Sequence, residues 1–271
     1  MERTALVMST PLSRFLLPAL AALTWLVSGV AAAQAQGQQL VVQADQWCPY
    51  NCKPGAAQPG YAIEILQAVF EPGIKIKYEV VPWDRAMYQT QQGDAGAVVA
   101  ATQRQVDAYG LLTGQETVGN SNDCLYVAAA NQKKISRPQD LDTLNSVAIV
   151  SGYTYAGDFN AWLGRPENKG KIVVQRGEAP AEANARNLAL GRLDGVIENY
   201  QVMSHIIYNQ GLGHDLAATI CQKQTPIYIA FSPKLANVRQ IVKQFDDGVA
   251  KLRQSGQLAK ILARYGQGDW K

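Results

Sequence analysis

The sequence predicts an α/β protein with two lobes, each a mainly parallel sheet flanked by helices. Strand-like and helix-like segments alternate from residue 40 onward, and the alternation restarts after about residue 122. This β-α-β order implies parallel pairing with right-handed crossovers. A helical segment at the end of the chain is long enough to return to the first lobe, and 271 residues suffice for two cores.

The first run of elements follows from hydrophobic periodicity and from turn residues. Apolar side chains recur at helical spacing before the Pro72-Gly73 turn and alternate with polar ones after it. We predict, in order, a strand at 40–42, a helix at 61–70, a strand at 74–81, a helix at 83–92 and a strand at 97–101.

The second run repeats the pattern and ends in helices. We predict strands at 124–130, 146–150, 171–175, 195–197 and 227–231. Between and after them we predict helical segments at 138–144, 158–163, 180–190, 200–208, 235–255 and 257–265.

Residues 1–35 have the pattern of a cleaved signal peptide. Arg3 and Arg14 give a basic start, an apolar run follows at 15–30, and small residues then offer a cleavage site. A membrane anchor is the alternative, but the run is shorter than the ~20 apolar residues that a spanning helix needs. We therefore expect export to the periplasm and no membrane insertion of the mature chain.

The charge balance argues against nucleic acid as a partner. The whole chain carries 25 Lys and Arg against 22 Asp and Glu, a net charge of +3. Loss of residues 1–35 removes Arg3, Arg14 and Glu2, which lowers the net charge to +2. A charge this small and evenly spread argues against nucleic acid or an anionic membrane as a partner. We expect a small-molecule ligand and a monomer.

All four cysteines, Cys48, Cys52, Cys124 and Cys221, follow the export segment. An even count in an exported chain predicts disulfides, and four cysteines allow three pairings. We favour Cys48 with Cys52, which are close in sequence, and hence Cys124 with Cys221. Neither histidine has zinc-site spacing to a cysteine, and C-x-x-x-C is not the usual redox spacing, so we expect no metal and no cofactor.

Candidate ligand residues follow the predicted strands, where open α/β sheets bind ligands. Aromatic rings can stack on a ligand, and arginine can donate two hydrogen bonds to a carboxylate. A glycine lets backbone N–H groups approach an anion, and Glu or Asn can accept a hydrogen bond from an amine. On these grounds the candidates are Trp47, Tyr50, Trp83, Arg85, Gly152, Tyr153, Thr154, Glu198, Asn199 and Tyr200.

The order and spacing of several segments resemble the family 3 extracytoplasmic solute-binding proteins, the periplasmic components of ABC transporters for polar amino acids. The segments are the Trp47–Tyr50 turn, GYAIEI at 60–65, VPWDRA at 81–86, GDA at 93–95, VAIVSGYTY at 147–155, GRLDGVIE at 191–198 and the closing helices at 249–266. The resemblance spans nearly the whole mature chain.

The resemblance implies a periplasmic binding protein-like (type II) clamp of two lobes. The lobes would close over the ligand, and an ABC transporter permease would recognise the closed form. It places crossings near 122–126 and 222–231, giving lobe 1 as 36–122 plus 231–271 and lobe 2 as 123–230. Cys124 and Cys221 would then meet at the hinge, which supports their pairing.

Two positions depart from the pattern of amino-acid binders. Arg104 lies near the place of the arginine that holds the ligand carboxylate, but its spacing from Thr102 is shorter. Asn199 falls where the acidic residue for the ligand amine is usual, with Glu198 one step before it. An amino acid or a similar compound is the favoured ligand, and a less charged solute is the alternative.

The favoured function is therefore solute capture without catalysis. One alternative is a dehydratase-like enzyme on the same clamp, for which Glu198 is the one acid–base candidate. The other is a ligand sensor that reports to a separate signalling protein.

Overall fold

The computed structural model describes residues 1–2 and 38–271. The predicted signal peptide therefore lies almost entirely outside the described residues. Within the described ranges, no helix is both long enough and apolar enough to cross a bilayer.

The first sheet has the strand order β2-β1-β3-β10-β4. Its strands are β1 (Gln38–Ala44), β2 (Ile74–Val80), β3 (Ala97–Thr102), β4 (Gly119–Ser121) and β10 (Thr225–Phe231). β1 pairs in parallel with β2 and β3, whereas β10 is antiparallel to β3 and β4. This sheet is lobe 1.

The second sheet has the order β7-β6-β8-β5-β9 and forms lobe 2. Its strands are β5 (Asp123–Ala128), β6 (Val147–Val150), β7 (Ile172–Gln175), β8 (Gly195–Asn199) and β9 (Leu216–Cys221). β6 is parallel to β7 and β8, and β5 is antiparallel to β8 and β9. The two-lobe α/β fold predicted from the sequence is confirmed. The expectation of mainly parallel sheets is wrong, because each sheet has two parallel and two antiparallel pairings, the antiparallel ones made by the strands next to the crossings.

Helices flank both sheets. Lobe 1 carries α1 (Tyr61–Phe70), α2 (Trp83–Gln92) and α3 (Gln103–Tyr109), and lobe 2 carries α4 (Gly157–Leu163), α5 (Pro180–Ala189) and α6 (Tyr200–Gln210). Three short 3₁₀ helices, Ala129–Lys134, Pro138–Thr143 and Pro166–Lys171, connect elements of lobe 2.

The chain ends in α7 (Val238–Gln254) and α8 (Gln257–Ala263), which return to lobe 1. Ile241, Phe245, Val249 and Leu252 lie on one face of α7 and are buried, which is the pattern of an amphipathic helix. Phe245 stacks on Phe70 of α1 at 6.4 Å between ring centroids. The return of the tail to the first lobe agrees with the sequence expectation.

Two crossings join the lobes. The chain leaves the first sheet at Ser121 and enters the second at Asp123, and it returns between Cys221 and Thr225. The expected lobe boundary at residue 230 is therefore wrong, because residues 225–231 form ladder hydrogen bonds with β3 and β4 of lobe 1. The Cys124–Cys221 disulfide links β5 to β9 beside these crossings.

The sequence analysis did not predict α3, β4 and β9. β4 has three residues, too few for a periodicity to show. α3 has a capping box in which Thr102 and Gln105 satisfy each other's backbone N–H groups, and this Thr-x-x-Gln pattern was overlooked.

Candidate functional site

A small cavity of about 40 Å³ lies between the lobes. It is called the cleft below. Lobe 1 contributes Asp45, Trp47, Asn51, Trp83, Val99, Ala100, Thr102, Gln105, Ser121 and Ile227, and lobe 2 contributes Asp123, Tyr153, Thr154 and Tyr155. Most of these residues follow the carboxyl ends of strands, where parallel sheets place ligands.

The turn after β1 supplies one wall of the cleft. Trp47 N donates to Asn51 O at 2.8 Å, Tyr50 N donates back to Trp47 O at 3.0 Å, and the Cys48–Cys52 disulfide spans the turn. The rings of Trp47 and Tyr50 stack with centroids 4.5 Å apart. The turn therefore holds the Trp47 indole against the cleft.

Tyr50 supports this wall from behind. Its side chain is 1% exposed, and its hydroxyl donates to Asn120 O at 2.7 Å. Tyr50 is not among the residues that line the cleft.

Tyr153 of lobe 2 reaches into lobe 1. Its ring meets Trp47 and Trp83 edge-on, at centroid distances of 6.2 and 6.1 Å. Its hydroxyl donates to Asp45 Oδ2 at 2.7 Å. One lobe 2 side chain thus contacts three lining groups of lobe 1.

Further hydrogen bonds join the lobes around Tyr153. Thr102 Oγ1 and Thr154 Oγ1 are 2.9 Å apart, and Gln105 Nε2 donates to Gly152 O at 3.0 Å. The lobes are therefore closed on each other.

Gly152 must be glycine in this arrangement. Its φ of +76° lies in the left-handed region, and a Cβ here would collide with the carboxylate of Asp84. The absence of a side chain lets the loop after β6 approach the start of α2.

Two carboxyl groups, those of Asp45 and Glu198, are buried in and behind the cleft, and that of Asp123 is half-buried. Burial raises the pKa of Asp45 to about 7, although the hydrogen bond from Tyr153 opposes the shift. Burial likewise raises the pKa of Asp123 to about 6 and that of Glu198 to about 8. Among the described residues that line the cleft, Asp45 and Asp123 are the only ones of the types Asp, Glu, Lys, Arg and His.

Several polar atoms near the cleft have no hydrogen-bond partner among the described residues. These buried atoms are the donor Trp83 Nε1 and the acceptors Asn51 Oδ1 and Glu198 Oε2. Trp83 and Asn51 line the cleft, whereas their unpaired atoms are themselves buried.

The structure brings only some of the predicted ligand residues together. Trp47, Trp83, Tyr153 and Thr154 line the cleft, and Gly152 lies beside it. Glu198 and Asn199 are buried behind the wall: Glu198 accepts from Trp47, and Asn199 caps α6 and donates to Ser121 Oγ at 3.2 Å.

The other three predicted residues are exposed and do not line the cleft. Arg85 lies on the outer face of α2, Tyr200 is 47% exposed at the start of α6, and Arg104 lies on α3. Arg104 reaches across to Tyr155 O at 3.4 Å. Neither Arg85 nor Arg104 lines the cleft in this closed arrangement.

The most important residue that the sequence analysis missed is Asp45. It follows β1 directly, so the edge rule that selected Trp47 would also have selected this carboxylate. Asp123, Asn51 and Gln105 were missed as well, because only the folded arrangement of the lobes brings their side chains to the cleft.

Within the described residues, three potential metal ligands come together at Cys48, Cys52 and His205. The two sulfurs are bonded to each other, so only the imidazole has a free donor atom. Burial lowers the pKa of His205, and its Nε2 lies 2.8 Å from Asn209 Nδ2. This group does not form a metal centre while the disulfide is intact.

The two sheets, their crossings and the cleft define a two-lobe, periplasmic binding protein-like protein. The chain is similar to the "Probable histidine-binding protein" of Neisseria gonorrhoeae, with 26% identity over 217 residues, covering 76% of this chain and 74% of the relative. No protein-family model matches the chain.

Solved structures share the fold. An ancestral arginine-binding protein bound to arginine has a TM-score of 0.69 and 16% identity, covering 84% of this chain and 97% of that one. A histidine kinase sensor domain with similarity to periplasmic binding proteins has a TM-score of 0.65 and 17% identity, covering 84% and 96%. The resemblance to the family 3 solute-binding proteins, inferred from motifs, is confirmed.

Proposed function

We propose that this protein captures a small solute bearing an ammonium group, such as an amino acid or amino-acid-like compound, and delivers it to an ABC importer. The observation that carries the proposal is the lining of the cleft. It combines aromatic rings with the carboxyls of Asp45 and Asp123 and, within the described residues, contains no Lys, Arg or His.

The lining favours a cation for two physical reasons. The faces of Trp47, Trp83 and nearby tyrosines attract a positive charge through their quadrupoles. A cation near Asp45 also favours the ionised carboxylate and so offsets the cost that burial imposes on it. An anionic solute would gain neither interaction and would meet two carboxyl groups.

A second polar group on the solute would find a donor. The Nε1 of Trp83 is buried without a partner in the described structure, and a carboxylate or hydroxyl oxygen could accept from it. Asn51 Oδ1 offers an additional acceptor to an amine. An ammonium close to an oxygen acceptor is the arrangement found in amino acids.

The comparisons support this class of ligand. The Neisseria relative carries the name of a histidine-binding protein, and one structural neighbour holds arginine. Both of those amino acids have a nitrogen-containing side chain as well as an α-amine. Export to the periplasm, action as a monomer and an ABC permease as partner are parts of the same proposal.

Catalysis is the weaker alternative. Glu198 is the acid–base candidate, but it is 1% exposed and accepts from the Trp47 indole, which separates it from the cleft. Its raised pKa is explained mainly by burial, with a smaller contribution from the nearby carboxyls of Asp123 and Asp45. We therefore include the absence of enzymatic activity in the proposal.

A sensory role is favoured by one specific finding, the likeness to a histidine kinase sensor domain. Such a role would use the same cleft and a different protein partner. Deletion of an importer gene would abolish uptake in the first case and leave the signalling response intact in the second.

The proposal is tested by thermal shift of the exported protein against matched solutes. We expect L-histidine, L-lysine, L-arginine or putrescine to raise the melting temperature, and glutarate and glucose, which lack an ammonium group, to leave it unchanged. Asp45→Asn should abolish the shift, and the matched control Asp94→Asn, at an exposed turn, should retain it. Stabilisation by anionic or neutral solutes alone would refute the ammonium assignment.

A further inference from the structure

Tyr153 occupies a slot that belongs to lobe 1. The slot is formed by Trp47 on one side, Trp83 on another and the Asp45 carboxyl at its end. The Tyr153 ring lies 6.2 and 6.1 Å from the two indoles, both in edge contact. An aromatic side chain from the opposite lobe therefore fills the space between the two tryptophans.

The hydroxyl of Tyr153 also uses the carboxyl in that slot. It donates to Asp45 Oδ2 at 2.7 Å, a short hydrogen bond between groups of different lobes. Asp45 is 2% exposed, so the bond lies in a largely water-excluded environment. Within the described residues, no other side chain hydrogen-bonds to the Asp45 carboxyl.

Neighbouring contacts strengthen this arrangement. Thr154 meets Thr102, and the carbonyl oxygen of Gly152 accepts from Gln105. The three consecutive residues Gly152, Tyr153 and Thr154 thus each bond to lobe 1. This short segment after β6 is one link between the lobes, beside the hydrogen bond from Trp47 to Glu198.

We propose that Tyr153 is a built-in competitor for the solute: it takes the slot between Trp47 and Trp83 and the hydrogen bond to Asp45, and so sets which solutes bind and how tightly. This inference rests on the proposed function, since it concerns the same cleft. A solute must break the Tyr153–Asp45 contact before its ammonium can reach the carboxylate.

The competition has a defined thermodynamic consequence. When a protein is held in a state that cannot bind, its apparent dissociation constant rises by the inverse of the competent fraction. Closure through Tyr153 is such a state. Solutes that interact weakly with Asp45 therefore do not displace Tyr153. Solutes whose ammonium group binds the Asp45 carboxylate strongly do displace it.

The experiment uses two substitutions at one position and a surface control. Tyr153→Phe removes the hydroxyl and keeps the ring, whereas Tyr153→Ala removes both. Tyr208→Phe is the matched control, because Tyr208 is 86% exposed on α6. Circular dichroism checks that each variant is folded.

Two measurements are made on each protein. Small-angle scattering without added solute should give a larger radius of gyration for Tyr153→Ala than for the wild type and Tyr208→Phe, because the closed clamp loses the contacts of Tyr153 with Trp47, Trp83 and Asp45. Calorimetric titration with L-lysine and with putrescine should show about tenfold tighter binding for Tyr153→Phe, because a hydrogen bond to the Asp45 carboxyl no longer competes.

The outcomes separate this inference from the proposed function. Weaker binding by Tyr153→Phe would overturn the inference, since it would make the hydroxyl a ligand contact. An unchanged radius for Tyr153→Ala would also overturn it. If neither probe binds any variant, the ammonium assignment is in doubt, and the scattering result alone decides whether Tyr153 closes the clamp.

Discussion

The indole Nε1 of Trp47 donates to Oε1 of Glu198 at 2.9 Å, joining residues that are 151 positions apart in the chain. Trp47 belongs to the turn after β1 of lobe 1, and Glu198 belongs to β8 of lobe 2. The same carboxyl oxygen accepts from the backbone N–H of Asn199 at 2.8 Å. The wall of the cleft is therefore connected directly to the core of the opposite lobe.

We expect Trp47→Phe to lower the free energy of unfolding by about 1–3 kcal/mol, because it removes one of the two donors to the buried Glu198 carboxyl. Urea unfolding followed by circular dichroism measures the change. Glu198→Gln should cost less than about 1 kcal/mol, since a carboxyl with a pKa near 8 is protonated at pH 7 and resembles an amide. A larger loss in Glu198→Gln than in Trp47→Phe would contradict this reading.

Stability should fall as the pH rises from 5 to 8. Burial raises the pKa of Asp45 to about 7, of Asp123 to about 6 and of Glu198 to about 8. The folded state thus holds protons that the unfolded chain has released, and its advantage is lost as the pH passes these values. The carboxylates with lowered pKa, such as Asp142, act in the opposite direction only at acidic pH.

Melting temperatures at pH 5, 6, 7 and 8 test this expectation. The double variant Asp45→Asn, Glu198→Gln should show a flatter profile, because two of the three titrating groups are gone. A wild-type melting temperature that rises across the same range would contradict the assignment of these carboxyls as buried.

The two disulfides should differ in their effect on stability. Cys124 and Cys221 are 97 positions apart, whereas Cys48 and Cys52 are only 4 apart. Loop-closure entropy predicts a loss of about 4–5 kcal/mol for Cys124→Ala with Cys221→Ala, and about 2 kcal/mol for Cys48→Ala with Cys52→Ala. Urea unfolding of both double variants gives the comparison, and the reverse order would contradict the loop-closure account.

Arg85→Ala should leave solute affinity within about twofold of the wild-type value. Arg85 is exposed on α2 and makes no lining contact, so a solute carboxylate does not reach it. Loss of a charge-assisted hydrogen bond would instead weaken binding tenfold or more. Calorimetric titration with the most stabilising solute distinguishes these two outcomes. A tenfold loss of affinity would show that Arg85 binds the solute carboxylate.

The two-lobe fold could be predicted from the sequence because it depends on local periodicity and on element order. The aromatic lining could be predicted in part for a similar reason: Trp47, Trp83 and Tyr153 each follow a strand of a sheet, and the edge rule needs no tertiary information. Asp45 satisfies the same rule and could have been included.

Other features could not be predicted from the sequence. They depend on which face of a helix is buried and on how the two lobes contact each other. Trp83, Ala86, Met87 and Thr90 form the buried face of α2, which leaves Arg85 on the solvent side. Chemical type alone had suggested Arg85 as a ligand. The insertion of Tyr153 between two tryptophans is set by the closure of the lobes, and no local pattern encodes it.

The central claim is that the cleft holds an ammonium group at Asp45 between Trp47 and Trp83. A crystal structure of the protein with its most stabilising solute tests it most directly. The account predicts the solute nitrogen within hydrogen-bonding distance of the Asp45 carboxylate, with the Tyr153 hydroxyl moved away. A solute bound outside the cleft, or held with its carboxylate on Arg104 and its nitrogen away from Asp45, would contradict the account.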